Sequence, residues 1–117
     1  MVLSVSVEDY HLEEVVIIGG GVAGLTCLNA LLDQGIAALL IEGSTIGTPK
    51  MCGEFLAPIA AQQLQLWDVD PFVPISDAIF YAGRKQLGIH FTKPSAGISR
   101  SDVELKLAAR ARRLGGR

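Results

Sequence analysis

Six consecutive residues, Gly19-Gly20-Gly21-Val22-Ala23-Gly24, fit the spacing G-x-G-x-x-G, and an acid, Glu42, follows at about the 20-residue interval expected of a dinucleotide fingerprint. Each position has a physical task in that chemistry. Gly19 permits a tight strand-to-helix turn, and Gly21 lets the backbone come close to a diphosphate. Gly24 allows a helix to lie near the strands. The free N–H groups of a helix starting near Val22 and Ala23 would then face phosphate oxygens at the positive end of the helix dipole. Glu42 would accept hydrogen bonds from ribose hydroxyls. It would repel a 2′-phosphate, and Gly43-Ser44 offers no arginine to compensate, so NADP is disfavoured. The plainer alternative is a tight turn without a ligand and a solvated acid at a strand end.

Little else in the chain has the makings of a reactive centre. Cys27 and Cys52 form neither a disulfide framework nor a zinc site, and no metal centre is expected. His11 and His90 lack visible partners. Cys27 lies one position off the leucine pattern around it and reads as core. No general acid, base or nucleophile can be named.

The elements that must position the glycines are legible in the apolar pattern. Glu14 to Ile18 is a short β-branched run stopped by glycine, a buried strand. From Val22 to about Asp33 the period becomes helical, through Leu25, Leu28, Leu31 and Leu32, with Gly35 placed as a left-handed cap. Ala37 to Ile41 is again continuous and apolar, which implies cover on both faces as in a parallel sheet. Residues 14–42 therefore form a βαβ core. The stretch from Gly43 to Gly53 reads as a loop. Pro58 opens a short helix to about Leu66. Pro71 and Pro74 mark an irregular stretch, and Ala78–Tyr81 with Leu87–Phe91 form a β-hairpin around Gly83-Arg84-Lys85. Ser101 and Glu104 make a capping box for a last helix lined by Val103, Leu107, Ala111 and Leu114 and ended by Gly115. The fold class is α/β: a Rossmann-like βαβ unit followed by a helix, a hairpin and a C-terminal helix.

Bulk properties bound the partners. A chain of 117 residues has room for one domain, taken as 1–117. Half of its residues are hydrophobic and 19% charged, which argues against disorder. A net charge of -2 gives no support for nucleic-acid binding. No Lys or Arg precedes Lys50, and the basic residues Lys106, Arg110, Arg112, Arg113 and Arg117 read as a solvated helix face. The uncharged stretch from Val15 to Leu32 reaches the lower length of a membrane span, but four glycines at its centre make a lipid-crossing helix a poor reading. The mean hydropathy of +0.39 instead fits a very buried sheet or an incomplete domain. The N-terminus lacks the basic start and long apolar run of a secretory signal, so a cytoplasmic location is expected.

From Val15 to Glu42 the chain resembles the adenosine-binding unit of FAD-dependent oxidoreductases of the glutathione-reductase fold. Cys52-Gly53-Glu54 followed by Pro58 resembles a segment of geranylgeranyl-reductase-like flavoproteins. Ile98-Ser99-Arg100 with Val103, Glu104 and Leu107 resembles the R-x-x-hydrophobic-acid-x-x-L element of group A flavin monooxygenases. The resemblance implies FAD bound in extended form, reduced by a nicotinamide or another donor, with a small organic or lipid-like substrate. It also implies that Cys52, Gly53 and Glu54 lie on the flavin-ring side of the cofactor. Arg100 would approach the ribityl or diphosphate part, where a planar guanidinium pairs with phosphate oxygens. A small buried cysteine, a solvated acid and a surface arginine are the ordinary alternatives for these residues.

Departures from the family are plain. Its members continue into a further strand, a substrate-binding sheet and a late Gly-Asp motif, none of which occurs here, and Gly43 replaces a basic residue often found there. The expectation is an incomplete domain, an FAD-binding portion without turnover of its own. Two alternatives stand beside it. One is a non-catalytic nucleotide-binding module or a subunit completed by a partner chain, the other an NAD-binding domain.

Overall fold

The computed structural model describes residues 14–70 and 73–117, so the readings of the N-terminus, His11 and Pro71 lie outside the described residues. The order of elements is β1 (Val16–Ile18), α1 (Val22–Asp33), β2 (Leu39–Ile41), β3 (Phe55–Leu56), α2 (Pro58–Leu66), β4 (Val73–Ala82), β5 (Lys85–Gly97) and α3 (Arg100–Arg113). β1 and β2 pair in parallel, Val16 opposite Leu39 and Ile18 opposite Ile41. β3, β5 and β4 form an antiparallel sheet in that order. The βαβ unit, the short helix, the hairpin and the final helix are thus all present.

Local chemistry accounts for the helix ends. α1 closes in a Schellman motif: Gly35, at φ +72°, donates to Leu32, and Ile36 donates to Leu31 at 2.9 Å. α2 opens on Pro58, whose missing N–H costs nothing at a first turn. α3 closes as α1 does, with Gly115 at φ +84° and Gly116 N–H donating to Ala111. Its start differs from the sequence reading. Ser99, not Ser101, is the cap, its hydroxyl accepting from the Asp102 N–H at 3.1 Å. Glu104 is therefore not part of a capping box.

α1 and α3 pack side by side over β1 and β2. Leu25, Val103 and Leu107 join Leu64, Trp67 and Val69 from the α2 end in the main core. A smaller cluster of Leu28, Ala38 and Ala111 sits over the strands. Between the helices, wholly buried Asn29 donates to the carbonyls of Leu25 and Leu107 and accepts from Arg110, so both polar atoms of its amide have partners. Arg110 also pairs with Asp33 at 2.7 Å and lies 5.0 Å from the Trp67 ring. It is thus a packing residue, and the solvated-face reading fails for it.

Other expectations need correction. Cys27 is exposed, because α1 buries only a narrow stripe through Leu25, Leu28 and Asn29. Leu114 is also exposed, at the cap beyond the buried face of α3. Among the described residues the strands are covered on one face only: Val16, Ile18 and Ile41 are exposed, Ile18 to 86%. Pro74 lies inside β4, an edge strand where a missing donor is tolerated. The hairpin is much longer than its apolar centre suggested, and its two-residue turn, Gly83-Arg84, has positive φ at the glycine alone, the II′ pattern. His90 has a partner after all, Asp77 across the hairpin at 2.8 Å, though both are exposed. The hairpin reaches well beyond the body. The radius of gyration is 19.2 Å, against about 13 Å for a compact domain of this length.

Candidate functional site

The site begins where β1 hands over to α1. Gly19 takes φ +107°, a conformation that L side chains avoid, and its N–H continues the β1–β2 pairing by donating to Ile41 at 2.8 Å. Gly24 lies against that turn: a Cβ there would be 1.9 Å from the Gly19 carbonyl oxygen. Gly21 is the N-cap of α1, extended at φ -75° and without any side-chain cap, and no acid occupies the first turn. The first-turn amides, those of Val22 and Ala23 among them, therefore lack intrahelical partners and face outward at the helix's positive end.

Glu42 turns toward this loop. Its Oε2 accepts from the Gly20 N–H at 2.5 Å, while Oε1 accepts from both the Ser44 N–H and hydroxyl. A carboxylate oxygen accepts about two hydrogen bonds, so Oε2 keeps one lone pair available. The Ser44 hydroxyl, the Gly20 amide and the Ser44 amide, in that order, hold its pKa down at about 2, from an ordinary 4.5. The contribution of a carboxylate with a depressed pKa is complete above the ordinary value and is lost as pH falls through the folded one. The Gly20 amide resonance should accordingly stay constant from pH 7 to about 3 and move only near pH 2 in an NMR titration. A midpoint near 4.5 would show that these bonds do not persist in solution.

Arg100 comes to the same place from the far side of the chain. As the first residue of α3, it sends its guanidinium toward the glycine loop, with one terminal nitrogen 3.3 Å from where a Cβ on Gly21 would stand. Its Nε donates to Glu104 Oε1 at 3.0 Å. Glu104 is wholly buried and also accepts from Lys50 Nζ at 2.8 Å and the Gly47 N–H at 3.2 Å. Burial alone would raise its pKa. The Lys50, Arg100 and Gly47 hydrogen bonds overcome that and leave it below the ordinary range, hence charged. Gly20, Ser44, Lys50 and Gly47 were invisible as site residues because their roles depend on backbone amides and on packing across the chain.

From Arg100 a cavity of about 420 Å³ opens, bordered by Val22, Ala23, Cys52, Glu54 and Phe55. Cys52, near the end of the 43–53 loop, thus lies beside the helix start. Cys52 is exposed, with its Sγ 3.4 Å from the Glu54 N–H, so the buried-hydrophobe reading fails. Glu54 holds φ +54°, uncommon for a residue with a side chain, beside this cavity. Gly53 is in the same loop but does not border the cavity, and a Cβ there would meet open space. Among the described residues no group of His, Cys, Asp and Glu could hold a metal, and no helix is long and apolar enough to cross a membrane.

No family model matches the chain. Squalene epoxidase ERG1 of Gibberella zeae is 37% identical over 87 residues, which cover 68% of this chain and 17% of that protein. Among solved structures, the flavin-dependent brominase Bmp2 superposes with a TM-score of 0.77 at 23% identity, over 89% of this chain and 28% of its own. A geranylgeranyl bacteriochlorophyll reductase-like protein from Thermoplasma acidophilum gives 0.70 at 24% identity, over 87% of this chain and 28% of its own. The p-nitrophenol 4-monooxygenase PnpA from Pseudomonas putida DLL-E4 gives 0.75 at 19% identity, over 88% and 30%. The chain spans less than a third of the length of each of these proteins.

Proposed function

We propose that this chain, which shares the fold of the N-terminal portion of FAD-dependent monooxygenase-, halogenase- and geranylgeranyl-reductase-like flavoproteins, binds FAD at its glycine loop. One observation carries the reading. Uncapped helix amides meet at Gly21 the end of Arg100 that has no hydrogen bond among the described residues, 3.3 Å from where a Cβ would stand, and Glu42, with a spare lone pair, closes on the adjacent Gly20. That donor set suits a diphosphate flanked by a ribose. The amides at Val22 and Ala23 would hold the diphosphate with Arg100, and Glu42 would hold the adenosine ribose. The cavity beside Cys52 would take the part of the cofactor toward the ring, with Gly53 in the bordering loop.

Bound FAD supplies the electron transfer of an oxidoreductase, and the protein's share is to bind and orient it. In this reading the whole protein acts, as a monooxygenase or reductase, on a small organic or lipid-like substrate, and this chain supplies the cofactor portion. The apolar face at Val16, Ile18 and Ile41, uncovered among the described residues, favours a second reading, in which a partner chain completes the fold.

Purification with added FAD tests the cofactor. The expected product retains a flavin absorption band that ADP displaces and NAD does not. A colourless product that also fails to bind ADP in equilibrium dialysis would sink the assignment, while displacement by NAD with equal affinity would favour an NAD-binding domain.

A further inference from the structure

We propose that Glu104 is a positioning residue for the nucleotide diphosphate: it aims the Arg100 guanidinium at Gly21 and ties the 43–53 loop to the same point. The inference rests on the FAD reading above and adds a residue to it. Glu104 touches none of the ligand. It acts through Arg100.

The geometry divides the arginine into two ends. Nε is held by Glu104 Oε1, one helical turn further along α3. The terminal nitrogens have no protein hydrogen bond among the described residues and stand at the glycine loop and the cavity. A guanidinium is a rigid planar fork, so fixing Nε fixes the direction of the other end. The second carboxylate oxygen binds Lys50 and the Gly47 N–H, which fastens the loop between Glu42 and Cys52. One buried carboxylate therefore sets the relative position of the arginine and the loop.

Stability alone does not call for an acid here. Buried ion pairs are often replaceable by well-packed apolar residues without loss, because desolvation offsets the Coulomb gain. Charge alone argues in the opposite direction. Glu104 places a negative charge near the point where a diphosphate would lie, so its removal should tighten anion binding if only Coulomb attraction mattered. Positioning predicts weaker binding after the same change. The two accounts differ in sign.

ADP titration of Glu104→Gln decides between them, with Arg100→Ala and the double variant completing the cycle. We expect Glu104→Gln to weaken ADP binding about tenfold or more despite the added net positive charge. Arg100→Ala in that background should then cost little further, and the dependence of ADP affinity on salt should be shallower than in the parent chain. Unchanged or tighter binding by a folded Glu104→Gln chain overturns the proposal, as does full additivity in the cycle. If Glu104→Gln does not fold, Arg100→Lys decides. That variant keeps the charge and a pair with Glu104 but lacks the fork, and ADP affinity equal to the parent's would overturn the proposal. Loss of binding in Gly21→Val with none in Glu104→Gln leaves the FAD reading standing without this residue. A parent chain that binds no ADP removes both.

Discussion

Gly24→Ala should destabilise the protein by about 3 kcal/mol, the upper range for forcing a methyl into filled space. The added carbon would stand 1.9 Å from the Gly19 carbonyl oxygen, 3.1 Å from its carbon and 3.3 Å from Ile17 Cγ2. Two of those atoms are backbone, and the carbonyl belongs to the residue that makes the turn between β1 and α1. No side-chain rotation relieves the clash. Either the helix lifts from the strand or the turn opens, and both separate α1 from the sheet. A small domain holds only about 5–15 kcal/mol in total, so the loss should show as a large fall in the urea midpoint. Gly43→Ala is the matched control, since its new carbon would meet nothing within 4 Å. Equal midpoints for the two variants would mean that α1 does not rest on the turn as described.

Gly21→Val should do the reverse, sparing the fold and abolishing nucleotide binding. Gly21 already has φ -75°, which any residue adopts, and a Cβ added there would meet only side-chain ends, the Arg100 terminal nitrogen at 3.3 Å and Glu104 Oε1 at 3.9 Å. The backbone therefore accepts a side chain at this position. A valine is a poor N-cap and should cost about 1 kcal/mol of stability. Its methyl groups, however, would fill the gap between the helix amides and the guanidinium. Affinity for FAD or ADP should fall at least 100-fold, about 3 kcal/mol, in fluorescence or dialysis titrations. A folded Gly21→Val chain that binds ADP as the parent does would move the site away from this loop.

These neighbouring glycines show how much a sequence can state about a site. The motif and its context identified the turn, and α1 and α2 begin and end at the residues read from their apolar periods and caps. Such signals are local, so neighbouring residues suffice to reveal them. The second half of the site was less legible because its geometry is made across the chain. Ser99-x-x-Asp102 and Ser101-x-x-Glu104 are both plausible helix starts, and nothing nearby chooses between them. Beginning at Arg100 lets Glu104 turn inward to Lys50 and Gly47, residues more than fifty positions earlier. The hairpin was shortened in the reading for a related reason. Pro74 reads as part of an irregular stretch, yet it lies within a strand on a sheet edge, and the pairing continues past an irregularity where Ile75 faces Ser95 but Asp77 faces His90. Cys27, one position off the leucine pattern, misled because among the described residues the buried face of α1 is a narrow stripe over two short strands.

The long arm formed by β4 and β5 has a practical use. Its tip at Gly83-Arg84 is a tight exposed turn, while β5 joins the body at the other end, through Phe55, Leu56 and α2. Loop tips of this kind accept insertions because few buried contacts depend on them. A fluorophore, an affinity peptide or a pair of new chain ends could be grafted there and would report on the cradle at a distance from it. The same extension gives the molecule unequal axes of 70, 34 and 19 Å, so its tumbling is anisotropic and polarisation of an attached dye would depend on where along the arm it sits.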